Sequence, residues 1–222
     1  VGSTVAFDSE HPRFTSVAWR QSANGRAAWQ TVDQLDTYTA RILTRNLRQP
    51  YRTSFFPLLG SRQVLEADAP RLGLRGPRLE VLTDRSDGRR RTLRLRVAPG
   101  PGEAVVAVLL ESVVGRLEAW LDGKPLAGGD TTILDDTPVR WWCELHGLPP
   151  AGAALTIRCD AGAPLDLRAV GLAYGLPPAL RGAVPPRPAG MLPGRIGDVT
   201  LVEAAQRLSA WPAAPRPAPA AR

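Results

Sequence analysis

Lysine is almost absent from this 222-residue chain, and histidine, cysteine and methionine are scarce. Of 28 basic side chains one, Lys124, is lysine, which leaves 27 arginines; there are two histidines, two cysteines and the single Met191. Two cysteines outside any Cys-x-x-Cys pair are too few for a zinc knuckle. The two histidines form no His-Glu-x-x-His helix, and neither a Gly-x-Ser-x-Gly elbow nor a phosphate-cradling glycine loop occurs. His11 precedes Pro12 and falls in a loop or extended segment, while His146 stands beside Gly147 where a strand ends. The acidic pair Asp135-Asp136 reads as a turn rather than an acid/base dyad. The expectation is a chain with no catalytic residue, no metal ligand and no cofactor of its own.

Long apolar runs are also missing. The longest, Ala104 to Leu110, has seven residues, whereas a spanning helix needs roughly 20; it reads as a buried strand. Val1 to Glu10 has neither the basic start nor the apolar stretch of a signal peptide. A chain opening at Val1 reads as a processed product or a fragment.

Arginine gives the chain a net charge of +7. A basic chain suits anionic headgroups or nucleic acid, yet Ala, Arg, Pro and Gly throughout with almost no Lys is also what a GC-rich bacterial genome writes. The densest cluster is Arg85 with Arg89, Arg90, Arg91, Arg94 and Arg96, and the last five form a candidate basic patch. No aromatic residue interleaves it, which counts against nucleic acid and favours a solvated face.

Period-two alternation dominates the rest. Leu79, Val81 and Thr83, then Leu93, Leu95 and Val97, flank Asp87-Gly88, a hairpin turn signal that places Arg94 and Arg96 on the wet face. Ser16 to Gln21 and Arg26 to Gln30 flank Ala23-Asn24-Gly25 in the same way. Further strands are predicted at Ala104 to Glu111, Arg116 to Leu121, Val139 to Leu145, Ala154 to Cys159 and Pro164 to Ala173. Short strands separated by Gly, Pro and Asp turns predict a mainly β chain, an antiparallel, jelly-roll-like β-sandwich. The sandwich is expected over residues 1–178, with a short helix near 34–47 capped by Asp33. An extended arm is expected over 179–211, with a second helix near 200–208, and a disordered tail over 212–222. Ten of the 22 prolines fall within 177–222.

Two side-chain sets stand out. If Val139 to Leu145 and Leu155 to Cys159 pair as a hairpin, Cys143 stands opposite Cys159. They then either bridge, implying an oxidising compartment, or pack as thiols. Six of the 13 aromatics are tryptophans. Trp141 and Trp142 are adjacent in a strand and point to opposite faces, so Trp142 is the candidate ligand-facing ring.

Two blocks carry a resemblance. Phe7-Asp8, His11-Pro12-Arg13, Ser16-Val17-Ala18-Trp19, Gly25-Arg26-Ala27-Ala28-Trp29-Gln30-Thr31 and Asp36-Thr37-Tyr38-Thr39 form the first. Arg140-Trp141-Trp142, Gly147-Leu148-Pro149, Pro164-Leu165, Tyr174-Gly175-Leu176-Pro177, Arg187-Pro188 and Asp198 to Val202 form the second. Together they resemble the region after the last transmembrane helix in multispanning membrane zinc aminopeptidase-like proteins. That family includes the endoplasmic reticulum metallopeptidase, the fungal vacuolar membrane protease and bacterial relatives.

The resemblance implies zinc-dependent aminopeptidase activity for a parent chain only, since none of the family's zinc ligands can be placed here. It implies an extracytoplasmic position, periplasmic or exterior, anchored through that parent. The expected partners are the parent's own peptidase domain and membrane helices, with membrane headgroups as a further surface. The expected function is a non-catalytic accessory domain for interdomain packing or substrate recruitment. The alternatives are a carbohydrate- or peptide-binding sandwich, and an anionic-lipid or nucleic-acid binder acting through the arginine cluster.

Overall fold

In the computed structural model the described residues are 8, 11–49, 51–52, 62–110, 117–127, 132–134, 137–139, 141–161, 164–194 and 197–209. The chain is mainly β, with no helix of seven or more residues among them. The first strands are β1 (Arg13–Thr15), β2 (Ala18–Gln21), β3 (Ala27–Thr31), β4 (Tyr51–Arg52), β5 (Arg62–Gln63) and β6 (Leu65–Asp68). The middle holds β7 (Arg78–Ser86), β8 (Arg90–Ala98), β9 (Val105–Leu110), β10 (Glu118–Leu121), β11 (Lys124–Leu126), β12 (Thr132–Leu134) and β13 (Thr137–Val139). The last are β14 (Trp141–His146), β15 (Ala153–Asp160), β16 (Leu165–Tyr174), β17 (Met191–Pro193) and β18 (Val199–Leu208).

Two sheets make the sandwich. A five-stranded sheet runs β11-β10-β15-β8-β7, and a seven-stranded sheet runs β14-β9-β16-β18-β2-β3-β6. Pairing is antiparallel within them except between β18 and β2, which run parallel. The predicted hairpins form: β7 and β8 turn at Asp87-Gly88, with Gly88 at φ 89°, and β2 pairs with β3 across Asn24-Gly25. Positive φ at Gly88 is tolerated because no Cβ clashes there.

The alternating residues of both sheets fill the space between them. Leu93, Leu95 and Val97 of β8, with Leu155 and Ile157 of β15, meet Val106, Val108 and Leu110 of β9 and Leu167 of β16. β9 is apolar on both faces because its other residues, Val105, Ala107 and Leu109, belong to a second buried cluster on the outside of the seven-stranded sheet. A third cluster joins Trp19, Trp29, Tyr38, Ile42 and Leu43 to Leu180 and Val202 from much later in the chain.

Four expectations need correction. Residues 200–208 are not helical: Val199–Leu208 is a strand in the middle of the larger sheet, in a ten-residue ladder with β16. Near 34–47 only a three-ten turn forms, Thr39–Arg41, and Asp36 rather than Asp33 takes its first amide hydrogens. The proline-rich stretch contains a three-ten turn, Pro178–Leu180, and the short β17, and then leads into β18. β14 and β15 do not pair with each other, since β14 pairs with β9 and β15 with β10 and β8. The tail expected over 212–222 lies outside the described residues.

Candidate functional site

The residues of the two sequence blocks converge on one buried polar knot. The Asp36 carboxylate accepts from Thr15 Oγ1 at 2.7 Å, from the Thr39 amide at 2.8 Å, and from the Tyr38 amide and Thr39 Oγ1 at 2.9 Å. Burial alone would raise this carboxyl, but the hydrogen bonds from Thr39, Thr15 and Tyr38 outweigh it and hold it below the usual range. Arg187 donates to the Thr15 carbonyl at 2.9 Å and to Asp198 at 2.6 Å, with its guanidinium 4.5 Å above the Tyr38 ring. Asp198 also accepts from the Val17 amide, and Asp33 from the Ser16 amide. These groups satisfy one another, so the knot fastens the segment around Thr15–Thr39 to the one around Arg187 and Asp198.

The candidates for chemistry stay apart. His11 is exposed, with Nδ1 3.4 Å from Asp8; His146 is exposed at the end of β14, with Nε2 3.4 Å from Glu144. Among the described residues no three His, Cys, Asp or Glu stand close enough to hold a metal. Asp135-Asp136 lies outside the described residues. Cys143 and Cys159 are free and buried, one in each sheet. Both face the same core, as their alternation predicted, but across the sandwich rather than across a hairpin. Burial pushes the Cys143 thiol up to about 12 and raises Cys159 too, which makes both poor nucleophiles at neutral pH. Trp142 is half-buried against the outer apolar cluster.

The arginine patch divides. Arg91 is buried and donates to Asp84 at 2.6 and 2.9 Å and to the Ser209 carbonyl. Arg90 stands 3.6 Å from both Glu118 and Asp160, and Arg96 3.1 Å from Glu80. Arg89 is exposed at the hairpin turn, and Arg94 and Arg96 are exposed on the outer face of the five-stranded sheet. On that same face the register places Trp120, Thr156 and Arg158, which sequence reasoning did not bring to the patch. The available signal was alternation: Ala119 and Ile157 face the core, so Trp120, Thr156 and Arg158 face out.

A cleft of about 650 Å³ opens between Arg75, Arg78, Gly100, Glu103 and Leu148, and a smaller one of about 300 Å³ shares Arg75 and Glu103 with it. Glu103 Oε2 accepts from the Gly100 amide at 2.6 Å, while Oε1 is buried with no partner. Its carboxyl fits only because residue 171 is glycine, where a Cβ would overlap it. Burial, weakly opposed by the Gly100 amide, pushes Glu103 up to about 7 from 4.5. Between those values the folded state keeps a proton that the unfolded chain has released, so the contribution of Glu103 to stability falls as pH rises from about 4.5 to 7 and is level outside that window. Glu103→Gln is expected to remove this slope, and Gly171→Ala to remove it by driving the carboxyl into the cleft. Thermal melts of the three proteins from pH 4 to 8 check it; identical slopes in all three would contradict the assignment.

Comparison with protein-family models and with curated proteins finds no match to this chain.

Proposed function

We propose that this chain is a non-catalytic accessory domain of a membrane-bound zinc peptidase-like protein. It sits on the extracytoplasmic side and packs on the peptidase domain and membrane helices of its own parent, or recruits substrate to them. The observation that carries this reading is the knot. Ser16, Asp36, Tyr38, Thr39, Arg187 and Asp198, drawn from both blocks that resemble the family, interlock at one place. Residues from sequence positions about 180 apart close on each other there, with Val17 and Asp198 separated by 181 positions. Such interlocking is what a shared fold requires of its recurrent residues, and it occupies the polar groups that a catalytic reading would need.

A structural zinc would add folding free energy directly. The melting temperature of the chain is therefore expected to be the same with excess zinc as with chelator. A rise of several degrees with zinc, reversed by chelation, would show a metal site and contradict the reading.

A further inference from the structure

The outer face of the five-stranded sheet is solvated, and its register builds two rows of side chains across the strands. In one row Trp120 of β10 neighbours Thr156 of β15, which neighbours Arg94 of β8, which neighbours Thr83 of β7. In the next, Glu118, Arg158, Thr92 and Arg85 follow in the same strand order. With strands about 4.8 Å apart, each row of four spans roughly 14 Å. Arg85, Arg94 and Arg158 are exposed and make no salt bridge among the described residues, although the Arg158 charge is felt by Asp87 at the hairpin turn, whereas Arg90 and Arg96 are held by acids. Trp120 is half-buried and belongs to none of the three apolar clusters.

From this juxtaposition we infer that the open face binds an acidic oligosaccharide, with Trp120 stacking on a sugar ring and Arg94 and Arg158 taking its carboxylate or sulfate groups. An aromatic face beside threonine hydroxyls suits a ring that is apolar on one side and hydroxylated at its edge. Unpaired guanidiniums are suited to bidentate recognition of carboxylate and sulfate-like oxyanions.

The acids on the face choose between partners. Glu80, Glu118 and Asp160 stand among the arginines. Paired with Arg90 and Arg96, they leave the positive charge at separated points, Arg85, Arg94 and Arg158, rather than as the continuous basic surface that a bilayer or the dense phosphates of nucleic acid favour. Toward a saccharide they are acceptors for hydroxyl groups, and the ligand's charges are separated by whole sugar rings. A single-stranded nucleic acid also calls for several stacking rings, and each described row carries one at most. The inference concerns this face alone and does not depend on a peptidase parent.

Calorimetric titration of the chain with tetragalacturonate at low salt tests it, with uncharged maltotetraose as the control. Saturable binding is expected, stronger than to maltotetraose. Trp120→Ala is expected to weaken it about tenfold, the scale of removing one stacked ring, and separately the double variant Arg94→Gln/Arg158→Gln about a hundredfold, the scale of removing two charge-assisted hydrogen bonds. The double variant changes only exposed side chains, so it decides the matter if Trp120→Ala fails to fold. Absence of binding to both tetragalacturonate and a heparin tetrasaccharide would overturn the inference, as would binding unaltered in the variants. Binding to phosphatidylglycerol vesicles through these arginines, with no saccharide bound, would overturn it in favour of a headgroup surface.

Discussion

Trp19→Ala is expected to cost about 3–5 kcal/mol of folding stability, the range for deleting a buried tryptophan. Trp19 has no exposed surface and lies where β2, the three-ten turn and the start of β18 meet. It sits opposite Trp29 in the β2–β3 register, against Tyr38, Leu43, Leu180 and Val202. Its indole Nε1 donates to the Pro70 carbonyl at 3.0 Å. Truncation leaves a cavity that no single segment can collapse to fill, and it removes that carbonyl's partner as well. For a chain of this size about 2–4 °C is lost per kcal/mol, so the melting temperature should fall by about 10 °C. Thermal and denaturant unfolding measure it. Trp142→Ala, at a half-buried ring, is the comparison and should cost clearly less; equal costs would contradict the packing described.

The neighbouring residue gives an effect of similar size on the other face of the same strand. Arg20 and Glu203 form an ion pair whose side chains are 4% and 5% exposed, on the outside of the seven-stranded sheet. Removing one partner strands a buried charge, so Arg20→Ala is expected to cost about 3–5 kcal/mol. Replacing both by methionine should cost less than either single alanine substitution, because no unpaired charge remains. Urea unfolding of the two single variants and the double variant reads this out. Additive losses would mean that the pair is not coupled.

Alternation was the legible part of this fold. It assigned inward and outward residues correctly in β8, β14 and β15, because a half-buried strand writes its environment with period two. Partner choice was not legible. Cys143 and Cys159 do face one core, yet β14 joins β9 and β15 joins β8, since the connection through Gly147 to Gly152 crosses from one sheet to the other. Val199–Leu208 failed for a different reason. Its Leu, Glu, Ala, Gln and Arg are helix formers, and Leu201 and Leu208 sit near helical spacing. Ten paired residues on β16 and parallel pairing with β2 override that local preference.

The same limit governs the open face. Arg94 was legible as exposed, and the arginine cluster read along the chain contains no aromatic. Trp120 reaches it only through the β10–β15–β8 order, a long-range fact. Glu103 was invisible because its altered acidity depends on the absent side chain of Gly171, which is distant in sequence and adjacent in space.

Aminopeptidase activity with added zinc, measured on this chain and on the full-length product of its gene side by side, tests the accessory assignment most directly. The expected result is an inert chain and an active, chelator-sensitive full-length protein. Zinc-dependent activity in the chain alone, or none in the full-length protein, would contradict it.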